Sequence, residues 1–167
     1  MSAQEFSKEE LLGRIERAAH DYEANYHGCS RSVMQSLADH LGLGDSLTFK
    51  AAAPLSGGVA MRGETCGALI AGVMALGIAW GKETVEDEDW MEPVIAGYRL
   101  CRRFEKELGS TSCREIQRAR LGQAFNFADL KDYEEFQKAG GYVECPKVVA
   151  KAARLAAQMI LERSEKK

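Results

Sequence analysis

The chain has 167 residues, of which 46% are hydrophobic, 28% charged and 8% aromatic. A chain this long buries about 70% of its unfolded surface, which excludes a disordered polypeptide and a scaffold held only by disulfides. The net charge of −3 gives no broad basic excess, so general electrostatic binding to nucleic acid is not expected.

In chain order the pattern is helical almost throughout, and a single all-α domain over 1–167 is expected, with its core about 7–163. Ser7 and Glu10 form a capping-box signature. After it, Leu11, Leu12, Ile15, Ala18, Ala19, Tyr22 and Tyr26 recur at helical spacing. Glu16, Arg17 and Glu23 fall on the other side of that helix. Gly28 breaks the run. A second helix carries Val33, Met34, Leu37 and Leu41, and Gly42 and Gly44 end it. A short helix around Thr48 to Ala53 stops at Pro54.

A glycine-rich stretch from Gly57 to Gly63 follows. It leads into an apolar segment from Cys66 to Trp80 that has no charged face and reads as the buried central helix. Its apolar run, Ala68 to Trp80, is too short for a bilayer, which needs about 20 residues. Ala68, Gly72, Ala75 and Ala79 form a small-residue stripe that lets neighbouring backbones approach. An acidic stretch, Glu83 to Asp89, precedes a helix from about Trp90 to Leu108. Short helices begin near Cys113 and after Asp129, the second running through Phe136 to Gly140 and Gly141. The last helix is expected to start at Cys145 and Pro146. Its core face is Val148, Val149, Ala152, Leu155, Ala156, Met159 and Ile160. No strand, repeat or linker is visible.

The N-terminus lacks the basic and apolar regions of a secretory signal, and no membrane insertion is expected. The chain therefore reads as cytoplasmic, where thiols stay reduced. It is read as able to form a homodimer, with no interface visible in the residues.

Five cysteines are the informative feature, and an odd number cannot all pair within one chain. Their spacing includes no C-x-x-C, so a local zinc finger or attached haem is not indicated. Position says more. Cys29, Cys66, Cys113 and Cys145 each fall where a helix is expected to begin. Helix N-termini offer free N–H groups and the positive end of the dipole, which favour the thiolate. Four helix starts aimed at one point would hold four thiolates, as a zinc site or an iron–sulfur cluster requires. Cys101 differs: it lies mid-helix in register with Val94, Tyr98, Phe104 and Leu108 and is read as packing.

Arg62 is placed to lower the Cys66 pKa by charge, against a default of solvation. His27, two residues before Cys29, is a weaker ligand candidate, while His20 and His40 look ordinary. Arg99, Arg102, Arg103 and Lys106 read as a solvated basic stripe. Met34, Met61, Met74, Met91 and Met159 read as core fillers. The glycine stretch fits neither phosphate-binding fingerprint.

Cys29, the segment Cys66-Gly67-Ala68 after its glycine-rich lead, Cys113 and Cys145 together resemble the C_GCAxxG_C_C family of redox-active proteins. The likeness runs from about Tyr22 to Ile160. It departs from the family pattern at Ala71, which stands at the final glycine position with Gly72 one place later. The resemblance implies a helical redox or metal-thiolate protein acting with a redox partner. Three readings follow. In the first, the four cysteines converge on an iron–sulfur cluster or zinc, with electron transfer as the role of a cluster. In the second, two of them exchange between dithiol and disulfide. In the third, the chain is a helical binding module whose cysteines only pack.

Overall fold

The computed structural model describes residues 6–164, which contain eight α-helices and a short 3-10 turn. Helix α1 spans Lys8–Tyr26, α2 Cys29–Leu41 and α3 Ser46–Ala52, continued by the 3-10 turn Ala53–Leu55. Then come α4 Gly67–Trp80, α5 Met91–Leu108, α6 Cys113–Leu121, α7 Leu130–Lys138 and α8 Gly141–Ser164. The fold is all-α, as the periodicity predicts.

Local chemistry sets most boundaries. Ser7 and Glu10 form the expected capping box: the Ser7 side chain accepts from the Glu10 N–H, and the Ser7 N–H donates to Glu10 Oε2 at 2.8 Å. Asp45 caps α3 by accepting from the Thr48 N–H, which starts that helix two residues earlier than expected. Asp129 caps α7 through the Asp132 N–H. Gly42, Gly109 and Gly122 end helices in the left-handed conformation that only glycine adopts without strain.

The buried side of α1 is Leu12, Ile15, Ala19 and Glu23. This corrects the face read from the sequence: Tyr26 is 71% exposed, whereas Glu23 is only 5% exposed. The reason is geometric, because steps of four residues from Ile15 and Ala19 land on Glu23. The methionine expectation divides as well. Met34 and Met159 are buried, whereas Met61 and Met91 are exposed.

Helix α4 packs against α2, α5 and α8, with Ala68, Gly72 and Ala75 on its buried side. A Cβ on Gly72 would stand 3.0 Å from Leu100 of α5 and 3.4 Å from Ala156 of α8, so the small residue sets how closely these helices approach. At its far end Ile78 is exposed, and Trp80 lies under the Arg163 guanidinium, 4.8 Å from the ring centre. Helix α8 shares the centre with α4, touching α1, α2, α4, α5, α6 and α7. All seven residues expected on its core face are buried. No helix among the described residues is long and apolar enough to cross a membrane.

Helix α8 starts at Gly141, after Gly140 with φ 87°, and not at Cys145. Pro146 therefore lies inside the helix. It is fully buried, where its missing N–H removes one helical hydrogen bond.

Candidate functional site

Three cysteines stand at helix starts: Cys29 is the first residue of α2, Cys66 the N-cap of α4 and Cys113 the first residue of α6. The fourth, Cys145, lies in the second turn of α8. All four line one cavity of about 220 Å³. Cys101 stays on α5, partly buried against the core and outside this cavity, as its register predicts.

A short backbone pairing sets two of the cysteines together. Thr65 and Ser112 form an antiparallel bridge. Beside it, the Cys66 N–H donates to the Thr111 carbonyl at 2.8 Å and the Cys113 N–H to the Glu64 carbonyl at 2.7 Å. Side chains two residues apart in an extended segment share a face, so Cys66 and Cys113 are diagonal neighbours on one side of this pairing, about 7–8 Å apart. That side faces the cavity.

The glycine stretch is built for close approach. From Gly57 to Met61 five successive residues have φ between 51° and 70°, a left-handed turn closed by hydrogen bonds such as Ala60 N–H to the Pro54 carbonyl at 2.8 Å. Val59, Ala60 and Met61 adopt it despite their Cβ atoms. The turn brings Gly58 so near α6 that an added Cβ would stand 2.7 Å from the Cys113 Cβ. At Gly67 an added Cβ would stand 2.7 Å from Cys29 Sγ and 2.5 Å from the Leu55 carbonyl oxygen. The Cys29 sulfur thus sits where only glycine fits, on the residue after Cys66.

The remaining wall was not singled out from the sequence. Phe127, Tyr133 and Phe136, from α7 and the loop before it, join Tyr142 of α8 in a chain of edge-on and stacked rings. The Tyr133 and Tyr142 hydroxyls are hydrogen-bonded. Gln117 is fixed from both ends: its Nε2 donates to Cys113 Sγ at 3.4 Å and its Oε1 accepts from the Phe125 N–H at 2.8 Å.

Glu23 also lines the cavity. It is the one buried acidic residue among those described. Ser32 Oγ donates to its Oε2 at 3.0 Å. Sequence reasoning missed it because glutamate on an amphipathic helix defaults to the solvent face. Its i+4 relation to Ala19 was the available signal.

The electrostatics reverse one expectation. Burial pushes the Cys29 and Cys66 thiols up to about 12 and Cys113 to about 11, and raises Cys145 well above its ordinary value. Neighbouring thiols add to this at every site. Backbone N–H groups do act downward, from Ala68 and Leu69 on Cys66 and from Gly57 and Ser30 on Cys29, but desolvation outweighs them. Helix starts place these sulfurs without ionising them.

Arg62 is exposed and does not line the cavity; its carbonyl accepts from Arg114 Nη2 at 2.6 Å. The cation that favours the Cys113 thiolate is Arg114. His27 lines the cavity, stacked on Tyr142 at 3.7 Å between ring centres, with Nδ1 bonded to the Glu23 carbonyl at 2.9 Å. Among the described residues, no three His, Cys, Asp or Glu side chains are grouped to hold a metal ion. The four cysteines share one cavity without three of them being drawn together as the ligands of a single ion.

A family model described as "Putative redox-active protein (C_GCAxxG_C_C)" matches residues 27–159, a span that includes all four cavity cysteines. No curated protein and no solved structure matches the chain.

Proposed function

The chain belongs to the C_GCAxxG_C_C redox-active family, and from that premise we propose that it works as a thiol–disulfide redox protein in which Cys29 and Cys66 are the exchanging pair. Cys113 and Cys145 complete the thiol lining of the same cavity. The observation that carries this reading is the convergence of four remote cysteines on one largely apolar cavity. Cys29 is assigned to Cys66 because its sulfur rests on Gly67, the residue next to Cys66.

The reaction balances with a small organic disulfide as oxidant. One protein thiol attacks it as thiolate and releases one thiol product. The second protein thiol attacks the mixed disulfide, releases the other product and closes the protein disulfide. Two electrons and two protons leave the protein. The thiols are protonated at rest, so access and proton removal govern the rate more than a standing thiolate does. The aromatic wall favours uncharged, apolar reactants over highly charged ones.

The alternative role for the same cysteines, binding zinc or an iron–sulfur cluster, has the four sulfurs in one cavity in its favour. The absence of a grouped ligand set counts against it. Anaerobic purification with metal and sulfide analysis, followed by oxidation and peptide mapping, separates the two. Metal-free protein that loses two thiols reversibly and yields a Cys29–Cys66 link supports the dithiol reading. Stoichiometric metal or sulfide, lost on Cys→Ser substitution, contradicts it.

A further inference from the structure

We propose that Glu23 is the proton acceptor of this cavity: its buried carboxyl, on the same lining as the cysteines, takes the proton that a thiol must lose before its sulfur attacks. The inference rests on the dithiol reading above.

A carboxyl group is costly to bury without a cation against it. Glu23 is held instead by the Ser32 hydroxyl, with a further contribution from the Gly28 backbone N–H. Its position continues the Leu12, Ile15, Ala19 stripe, where an aliphatic side chain would satisfy the core at lower cost. Packing therefore does not account for a carboxyl there, whereas chemistry in the adjoining cavity does. The thiols next to it are neutral, and a neutral thiol is a poor nucleophile. A base on the same lining removes that obstacle.

The groups that face Glu23 come from four elements. At the C-cap of its own helix there is His27. From α2 come Cys29 and Arg31, from α4 Cys66, and from α8 Tyr142 and Cys145. Burial raises the Glu23 pKa, while Ser32, His27, Arg31 and Gly28 oppose that rise. A raised carboxyl lies closer to a thiol in proton affinity, so the transfer is less uphill. Ser32 tunes it by donating to the carboxylate.

In the first half of the reaction, Cys29 gives its proton to Glu23 and its sulfur attacks one sulfur of the small disulfide. The S–S bond breaks, and the departing thiolate leaves with the proton from Glu23. In the second half, Cys66 gives its proton to Glu23 and attacks the Cys29 mixed disulfide. The second thiolate leaves protonated in the same way. Glu23 ends each half as it began, and the electrons pass wholly from the protein thiols to the disulfide.

The test follows the oxidation of the full-length reduced protein by excess 2-hydroxyethyl disulfide across pH, counting free thiols against time. Glu23→Gln keeps the side-chain shape and an acceptor for Ser32. It is expected to slow the reaction by about 10²-fold near neutral pH, to abolish the inflection due to the carboxyl, and to reach the same endpoint of two thiols lost. Ser32→Ala keeps the carboxyl but removes a donor, so the inflection moves to higher pH. Formate added to Glu23→Ala restores part of the rate. A folded Glu23→Gln protein whose rate profile overlays the native one overturns the proposal. If that variant does not fold, an unmoved inflection in Ser32→Ala overturns it instead. Native protein that oxidises with no dependence on either residue leaves the dithiol reading standing and removes Glu23 alone. Native protein that never loses thiols removes both.

Discussion

The Cys29 sulfur lies 2.7 Å from the position a Cβ would occupy on Gly67. The residue that follows one cavity cysteine is thus what makes room for another. The same Cβ would stand 2.5 Å from the Leu55 carbonyl, which is backbone and cannot swing aside.

Gly67→Ala is therefore expected to destabilise the protein by about 1–3 kcal/mol, the usual range for overpacking a filled core. Gly77→Ala on the same helix is the matched control. A Cβ at Gly77 meets nothing within 4 Å, so that change is expected to stabilise by about 0.5–1 kcal/mol through helix propensity. Urea unfolding of the two variants beside the native protein checks the contrast in sign.

Ala60 sits at φ 51° in the left-handed turn, where a Cβ is unfavourable, and its side chain is exposed. Relief of that conformation, about 1–2 kcal/mol per residue, exceeds the entropy that glycine adds to the unfolded chain. Ala60→Gly is expected to raise stability by up to about 1 kcal/mol. A lowered denaturation midpoint would show that the backbone there is not left-handed.

Burial holds Cys29 and Cys66 at about 12 in the folded chain, against an ordinary value of 9.0. From pH 9 upward the unfolded chain loses these protons while the folded chain keeps them. The folded state then binds more protons, so stability falls as pH rises from 9 toward 12. Cys29→Ala and Cys66→Ala each are expected to flatten that alkaline decline, as measured by denaturation at about pH 8 and about pH 10.5. An unchanged slope in both variants would contradict the assignment.

Glu23 works in the same direction at lower pH. Its folded pKa is raised above the ordinary 4.5, so its contribution is fully present below that value and is lost as pH climbs through the folded one. The stability of Glu23→Gln relative to the native protein is expected to increase from about pH 4 to about pH 8. A difference that stays constant over that window would mean Glu23 ionises as it does in water.

The bundle was legible because its signals are local. The Ser7–Glu10 box, the Asp129 cap and the core face of α8 require only neighbours three or four residues away. The four cysteines were legible as a set, but not the state of their sulfurs. Helix starts suggested thiolates, and only the three-dimensional burial shows that desolvation prevails. The α8 start was misplaced because proline usually marks a first turn, whereas Gly140 sets the start and Pro146 is tolerated inside. Glu23 was assigned to solvent because one helix viewed alone does not show what packs against it. The aromatic wall from Phe127 to Tyr142 is assembled across two helices and a loop, beyond the reach of periodicity.

A two-electron thiol couple between Cys29 and Cys66 is the core of the proposed chemistry. Equilibration of the purified protein in a graded series of thiol/disulfide buffers, with free thiols counted after acid quenching, tests it most directly. A single two-electron transition that disappears in Cys29→Ser and in Cys66→Ser is the predicted result. A full thiol count across the whole series, or a transition that survives both substitutions, would contradict it.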